Sequence, residues 1–359
     1  MLNLAPKTLT FASSVWKRHP QIFDLIRRII TMRSKTTFNA ESFNVREATL
    51  GDSEDVAAID TNILGGFDHL PKIYETFLKD PLRTSFVLQK HGKIVGFAQS
   101  YVVDDFETLA VQAIRISESA RTGGLWAYFR AQVVFRTLAK YPTLNTISVT
   151  TREKDLVMSR IKSGSDKWPF SFICTRPCLT ATLKSDGNCD SNFKTLKSPI
   201  RNIERDELKS ILMDSDNQSK LFPDKRILIS WASYKLLPSN ADVIGNLCHE
   251  IIGTFEEKDS VRCSTISFGH YYETKVGLRY DAEIYGNDMQ EILDHAQRQA
   301  QLSYKHHIYG KHCVWFYFPI HIDKKVVQLE ILKRIPIEEK LGILSCSLFE
   351  RELYPNSKL

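Results

Sequence analysis

The chain has 359 residues, 43% apolar and 25% charged, which supplies a buried core and is too apolar for disorder. No run approaches the ~20 apolar residues of a membrane helix, and seven cysteines without a CxxC pair argue against a disulfide framework or a Cys-rich zinc site. The net charge of +6 lies wholly in residues 1–35, which hold seven Lys/Arg and one acid, Asp24; the balanced remainder argues against a nucleic-acid-binding domain.

The chain opens with that basic arm, residues 1–42. Residues 21–33 read as an amphipathic helix, with Ile22, Leu25, Ile26, Ile29 and Ile30 on one side. An acid-poor, Arg-bearing start is the pattern of a mitochondrial transit peptide or of a helix added to a cytoplasmic protein, and both readings stand. Cysteine usage makes a reducing, intracellular compartment the default expectation.

The folded part begins at Phe43. Residues 43–48 alternate as a strand, and Gly51-Asp52-Ser53-Glu54-Asp55 opens a helix with acids in its first turn. Asp68 caps a second helix over 69–79, closed by Asp80-Pro81. Two β-rich runs, 84–90 and 94–103, flank a turn at His91-Gly92. Asp104-Asp105 turns the chain into a third strand, 108–117. A loop over 118–124 leads into a helix to about Lys140, with Leu125, Trp126, Phe129 and Val133 on one face. A strand at 145–150, a short helix near 152–162 and strand-like runs at 168–175 and 179–184 complete a first domain, 43–184. The polar stretch 185–192 reads as a linker. The second domain, 193–359, partly repeats the order, with a helix at 204–214, a strand at 226–231, a helix at 239–252, strands at 263–268 and 276–285, a helix at 288–305 and a strand at 313–319.

The loop ending at Gly123-Gly124 carries a specific chemistry. Two glycines at a helix start expose successive backbone N–H groups, the helix dipole favours an anion there, and Arg121 adds a guanidinium that can fork onto phosphate oxygens. A pyrophosphate suits residues 121–126, and a plain strand-to-helix packing turn is the competing reading. The spacing is neither GxxxxGK[ST] nor GxGxxG.

A strand, Arg121-Thr122-Gly123-Gly124-Leu125-Trp126 and an amphipathic helix, placed after three meandering strands, resemble the GNAT acetyltransferase superfamily. That superfamily's loop is written [QR]-x-x-G-x-[GA]; Trp126 departs from its last position. Gly65-Gly66-Phe67-Asp68-His69-Leu70-Pro71, Tyr74, Asp80-Pro81, Arg83-Thr84, Glu107-Thr108 and Ile114-Arg115-Ile116 are similar to the histidine N-acetyltransferase-like group. The resemblance implies an α+β fold, a mixed sheet flanked by helices, followed by a second diverged half of the same kind. It implies acetyl-CoA as cosubstrate, with the backbone at Ile114 and Ile116 on the thioester and pantetheine and residues 121–126 on the pyrophosphate. The implied reaction is direct attack of a small amino-acid-like amine on the thioester.

The acid–base pair is less legible. Relatives carry a mid-strand Glu where Gln112 stands, and Gln is no base; Glu107, at the entrance of the same strand, is the remaining candidate. Residues 152–162 lack the Tyr that many relatives place there. Phe67, Asp68 and Tyr74 are placed to hold the amine, with helix capping for Asp68 and core packing for Tyr74 as competing readings. In the second half Tyr285-Gly286-Asn287-Asp288 stands where a second phosphate loop would be but lacks its spacing, so one donor site is expected. His306-His307-x4-His312-Cys313 and Cys174-x3-Cys178 are read as buried side chains and not as metal ligands. A weakly active acyl-CoA-binding module and a peptide N-acetyltransferase are the alternatives to the small-amine enzyme.

Overall fold

The computed structural model describes residues 42–121, 124–152, 170–184, 193–256, 261–307 and 309–353. The expected helices at 21–33 and 152–162 and the linker at 185–192 lie outside them. The described residues form two compact units: those within 42–62, 73–147 and 352–353 in unit 1, and those within 63–72 and 148–351 in unit 2.

Unit 1 is built on an antiparallel meander in the order β1 (Phe43–Glu47), β2 (Arg83–Lys90), β3 (Lys93–Val103) and β4 (Thr108–Ile116). Lys90 pairs with Lys93, and the two residues between them, His91 and Gly92, both have positive φ, the signature of a type I′ hairpin. The β3–β4 turn also runs left-handed through Asp104, Asp105 and Phe106. Helix α1 (Ser53–Ala58) follows a turn closed by Asp52, whose carboxylate takes a bidentate pair from Arg46 and the backbone N–H of Thr49. Those bonds hold its pKa down at about 2. Helix α2 (Leu70–Lys79) carries the chain from residues of unit 2 back into unit 1. Helix α3 (Leu125–Lys140) buries Leu125, Phe129, Val133, Val134 and Leu138 and packs on β2 and β3.

Strand β5 (Thr146–Arg152) contains the boundary between the units. Unit 2 then adds β6 (Ser171–Leu183), β7 (Ile200–Asn202), α4 (Arg205–Met213), α5 (Ser215–Lys220), β8 (Arg226–Ile229), β9 (Ala232–Lys235), α6 (Pro238–Leu247), β10 (Glu250–Phe255), β11 (Cys263–Glu273), β12 (Gly277–Gly286), α7 (Met289–Tyr304), β13 (Lys311–Tyr317), α8 (Lys324–Leu332) and β14 (Ile337–Glu352). Its strands run in the order β14-β6-β13-β12-β11-β10-β7, with β12 and β13 parallel; β8 and β9 form a separate hairpin. Leu278, Tyr280, Ala282 and Ile284 of β12 meet Ile292, Leu293, Ala296 and Ala300 of α7 in the main core.

Two expectations shift here. The runs at 168–175 and 179–184 are one strand, β6, because Pro177 falls just past the last β13 partner, Cys178, while Ser345 of β14 continues opposite it. β6 pairs with β13 and β14, so contacts place it with the C-terminal elements and the division falls inside β5 instead of at 185–192.

Candidate functional site

The backbone of β4 breaks its ladder at one point. Gln112 pairs with Gln99 and Arg115 with Phe97, so Ala113 and Ile114 together oppose Ala98 alone. Ala113 has φ 50, a left-handed conformation that costs a non-glycine residue about 1 kcal/mol. Such a bulge leaves an extra residue outside the hydrogen-bond ladder and bends the strand. It lies just upstream of Ile116, whose carbonyl accepts Arg121 Nε at 3.1 Å. The chain then reaches Gly124, the N-cap of α3, in a left-handed conformation with φ 92. Gly124 has no side chain with which to cap this helix end, and the first N–H groups and dipole of α3 favour an anion there. Leu125 is buried and anchors the first turn, while half-buried Trp126 carries the Arg130 guanidinium over its ring at 4.1 Å. Thr122 and Gly123 lie outside the described residues.

One residue before the bulge, Gln112 is held by Arg83, whose Nη1 donates to Gln112 Oε1 at 2.9 Å and to Gln99 Oε1 at 2.6 Å. Arg83 Nε donates to Asp80, and its guanidinium lies over the rings of Phe77 and Tyr101. Glu107 stands five residues up the strand from Gln112, about 17 Å at the rise of a β-strand. The structure therefore does not bring Glu107 to the bulge. The expected amine-binding residues divide between the units. Phe67 packs with Trp315 and Tyr317 in unit 2, and Asp68 Oδ1 accepts the N–H of Leu70 at the start of α2. Tyr74 belongs to unit 1, where its buried hydroxyl donates to the Thr49 carbonyl at 2.9 Å. That bond commits it to closing the Thr49–Asp52 turn.

Unit 2 repeats the strand–helix–strand frame with β12, α7 and β13, and there side chains occupy both the strand ends and the helix start. The parallel pairing ends at Glu283 and Tyr317, and beyond it Arg176 Nη2 donates to the carbonyls of Ile284 and Tyr317. A side chain thus ties the two strands together at the end where they would separate. At the helix start Asp288 accepts the N–H of Glu291 at 2.9 Å, placing a carboxylate where an anion would bind. Replacing Asp288 by Ala should destabilise unit 2 by about 1 kcal/mol, read as a fall of roughly 2–4 °C in thermal midpoint. Arg176 carries no motif in the sequence; only the pairing of β6 with β13 brings it to the strand ends. Among the described residues no group of three or more His, Cys, Asp or Glu is placed to hold a metal ion.

Residues 195–313 match the family model described as histidine N-acetyltransferase, C-terminal. Histidine N-acetyltransferase of Oreochromis niloticus is 28% identical over 209 residues, 55% of this chain and 60% of the relative. The enzyme of the same name from Scomber australasicus is 24% identical over 205 residues, again 55% of this chain and 60% of the relative. The matched part spans about 60% of the length of these curated relatives. Among solved structures, a GCN5-related N-acetyltransferase from Sphaerobacter thermophilus has a TM-score of 0.54 at 10% identity, covering 90% of this chain and 99% of the other. A tandem GNAT protein from the clavulanic acid biosynthesis pathway has a TM-score of 0.52 at 12% identity, covering 88% and 100%. The fold is of the GNAT type, and the tandem neighbour fits the two-half description. The resemblance to the histidine N-acetyltransferase-like group, read above from residues 65–84, 107–108 and 114–116, is borne out by the relatives' identity and by a family match that falls in the second half.

Proposed function

We propose that the chain is an acetyl-CoA-dependent N-acetyltransferase acting on a small amino-acid-like amine, with histidine, the substrate named for the fish relatives, as the first candidate. The observation that carries this reading is the succession of a β4 bulge at Ala113–Ile114 and an α3 start at left-handed Gly124. Backbone groups at Ile114 and Ile116 would hold the thioester and pantetheine. Arg121, Thr122, Gly123, Gly124, Leu125 and Trp126 would hold the pyrophosphate by backbone N–H groups and the Arg121 guanidinium. The neutral amine attacks the thioester carbonyl; the N–C bond forms, the C–S bond breaks, and the amine proton leaves with the thiolate as free CoA thiol. Donors fixed at the bulge would stabilise the oxyanion that develops between these events. Gln112, oriented by Arg83, supplies an amide beside the reacting centre. Glu107 remains a base only through a chain of water.

Gln112 in the place of a carboxylate favours one second reading, an acyl-CoA-binding module with little turnover. Calorimetry with acetyl-CoA on the wild type and on Arg121→Ala/Gly124→Glu separates the cases. The double variant adds a carboxylate at the helix start and strains a left-handed position, so its binding should fall below detection. Release of free thiol by the wild type with one amino acid establishes the enzyme, and binding without release establishes the module. An unaltered affinity in the double variant removes the site from residues 121–126.

A further inference from the structure

Three polar side chains stand side by side on one face of the unit 1 meander, because Ser85 pairs with Gln99 and Gln99 with Gln112. Arg83, two residues before Ser85 on β2, belongs to the same face. It is buried, with its guanidinium over the Phe77 ring at 4.4 Å and the Tyr101 ring at 3.6 Å. Its Nε donates to Asp80 Oδ2 at 2.9 Å. Rings and carboxylate together hold the guanidinium in one place, and from there Nη1 donates to the Oε1 atoms of both Gln99 and Gln112.

A guanidinium carries donors only, so the amide atom that faces it must be oxygen. That fixes the sense of two glutamines whose amides would otherwise fit either way round. Gln99 then gives its NH2 to Ser85 Oγ at 3.3 Å. Gln112, half-buried, turns its NH2 away from Arg83 and stands one residue before the bulge at Ala113–Ile114. A donor on the amide oxygen also polarises the group and strengthens what its nitrogen donates. The same geometry suits a base poorly. A carboxylate at position 112 would face Arg83 directly, stay ionised and lose its affinity for a proton.

We propose that Gln112 is the hydrogen-bond donor to the acetyl carbonyl oxygen, with Arg83 as the residue that positions it. The inference rests on the reading of β4 as the thioester strand and adds the role of position 112. As the amine nitrogen bonds to the carbonyl carbon, the C=O π pair moves onto oxygen, and the Gln112 N–H meets the charge that grows there. When the C–S bond breaks, that pair returns to the carbonyl and the amine proton ends on the thiolate. Gln112 keeps its own protons throughout. A glutamine in the place of a carboxylate is then a change of role and not a loss of turnover.

The first test is the infrared carbonyl stretch of acetyl-CoA, isotope-labelled at the acetyl carbonyl and bound to the full chain without amine. It should lie below that of free acetyl-CoA, and Gln112→Met should remove part of the lowering. The second is steady-state acetylation of histidine. Gln112→Met and Gln112→Glu should each lower kcat about a hundredfold, with KM for acetyl-CoA little changed. Arg83→Met should lower kcat about tenfold in the wild type and have no further effect on kcat in Gln112→Met, while the thermal midpoint falls alike in both. Arg83→Lys, which keeps the charge and loses the fork, replaces it in the cycle should Arg83→Met misfold. A higher kcat in Gln112→Glu, or a carbonyl stretch unmoved by Gln112→Met, would overturn the proposal alone. Equal losses of kcat from Arg83→Met in both backgrounds would overturn the positioning role. A lowered stretch without thiol release would sustain the proposal and discard the enzyme reading, because the spectrum needs only binding. No binding of acetyl-CoA would overturn both.

Discussion

Acidification is expected to destabilise unit 2 progressively from pH 6.5 downward. His295 is fully buried, its Nε2 3.1 Å from Thr254 Oγ1 and its Nδ1 2.9 Å from Ser267 Oγ, and burial pulls its pKa down to about 3. His312, buried with Nε2 2.8 Å from Ser303 Oγ, is also pulled down to about 3 by burial. Both lie below the ~6.5 of an unfolded histidine. Between those values the unfolded chain binds protons that the folded chain refuses. Their stabilisation is complete above pH 6.5 and is lost as pH falls toward 3, at about 1.4 kcal/mol per pH unit for each. Glu283 acts in the opposite sense. Burial raises its pKa well above the ordinary value, so the folded chain keeps a proton the unfolded chain has released. Its contribution grows as pH falls to about 4.5 and then stops changing, which offsets one histidine above that point and none below. Asp281, held down at about 2 with Arg279 opposing its burial, adds its own loss below pH 4. Thermal midpoints measured against pH check the whole scheme. His295→Gln should flatten the profile throughout, and Glu283→Gln should steepen only the arm above pH 4.5. A profile unchanged by either substitution would refute it.

The fold and the site are unequally legible in the sequence. The β2–β3 hairpin was legible because His91-Gly92 between alternating apolar runs suits a turn with two positive φ values. The start of α3 was legible because Gly124 marks a helix N-terminus directly. The bulge before it was not, since Ala113 has no preference for the left-handed region and only pairing against β3 imposes it. In the second half, helix 239–252 absorbed the strand β10. The short pair Ile251-Ile252 fits either period, and Cys248 turns extended after α6 ends at Leu247. The charged row of β12 carries a clear alternation, Arg279, Asp281, Glu283, which reads as a solvent face. What buries it comes from residues 63–72 and 226–235, which no local pattern connects to residues 277–286. Phe67 was picked out by its surroundings in sequence, yet its partners Trp315 and Tyr317 lie some hundreds of positions away.

Removing one member of the Arg279–Asp281 pair is expected to be the most damaging single change in unit 2. Both side chains are at most 1% exposed, Arg279 lies over the Trp315 ring at 4.1 Å, and Asp281 Oδ2 is 3.6 Å from His270 Nε2. Arg279→Met strands an ionised carboxylate in the core, at a cost of about 3–5 kcal/mol. Arg279→Met/Asp281→Leu removes both charges with little change of volume. It should recover to within about 1 kcal/mol of wild type, because the desolvation of two ions is relieved along with their attraction. Urea unfolding of the four-member cycle measures this directly, and a double variant as unstable as the single one would refute the argument.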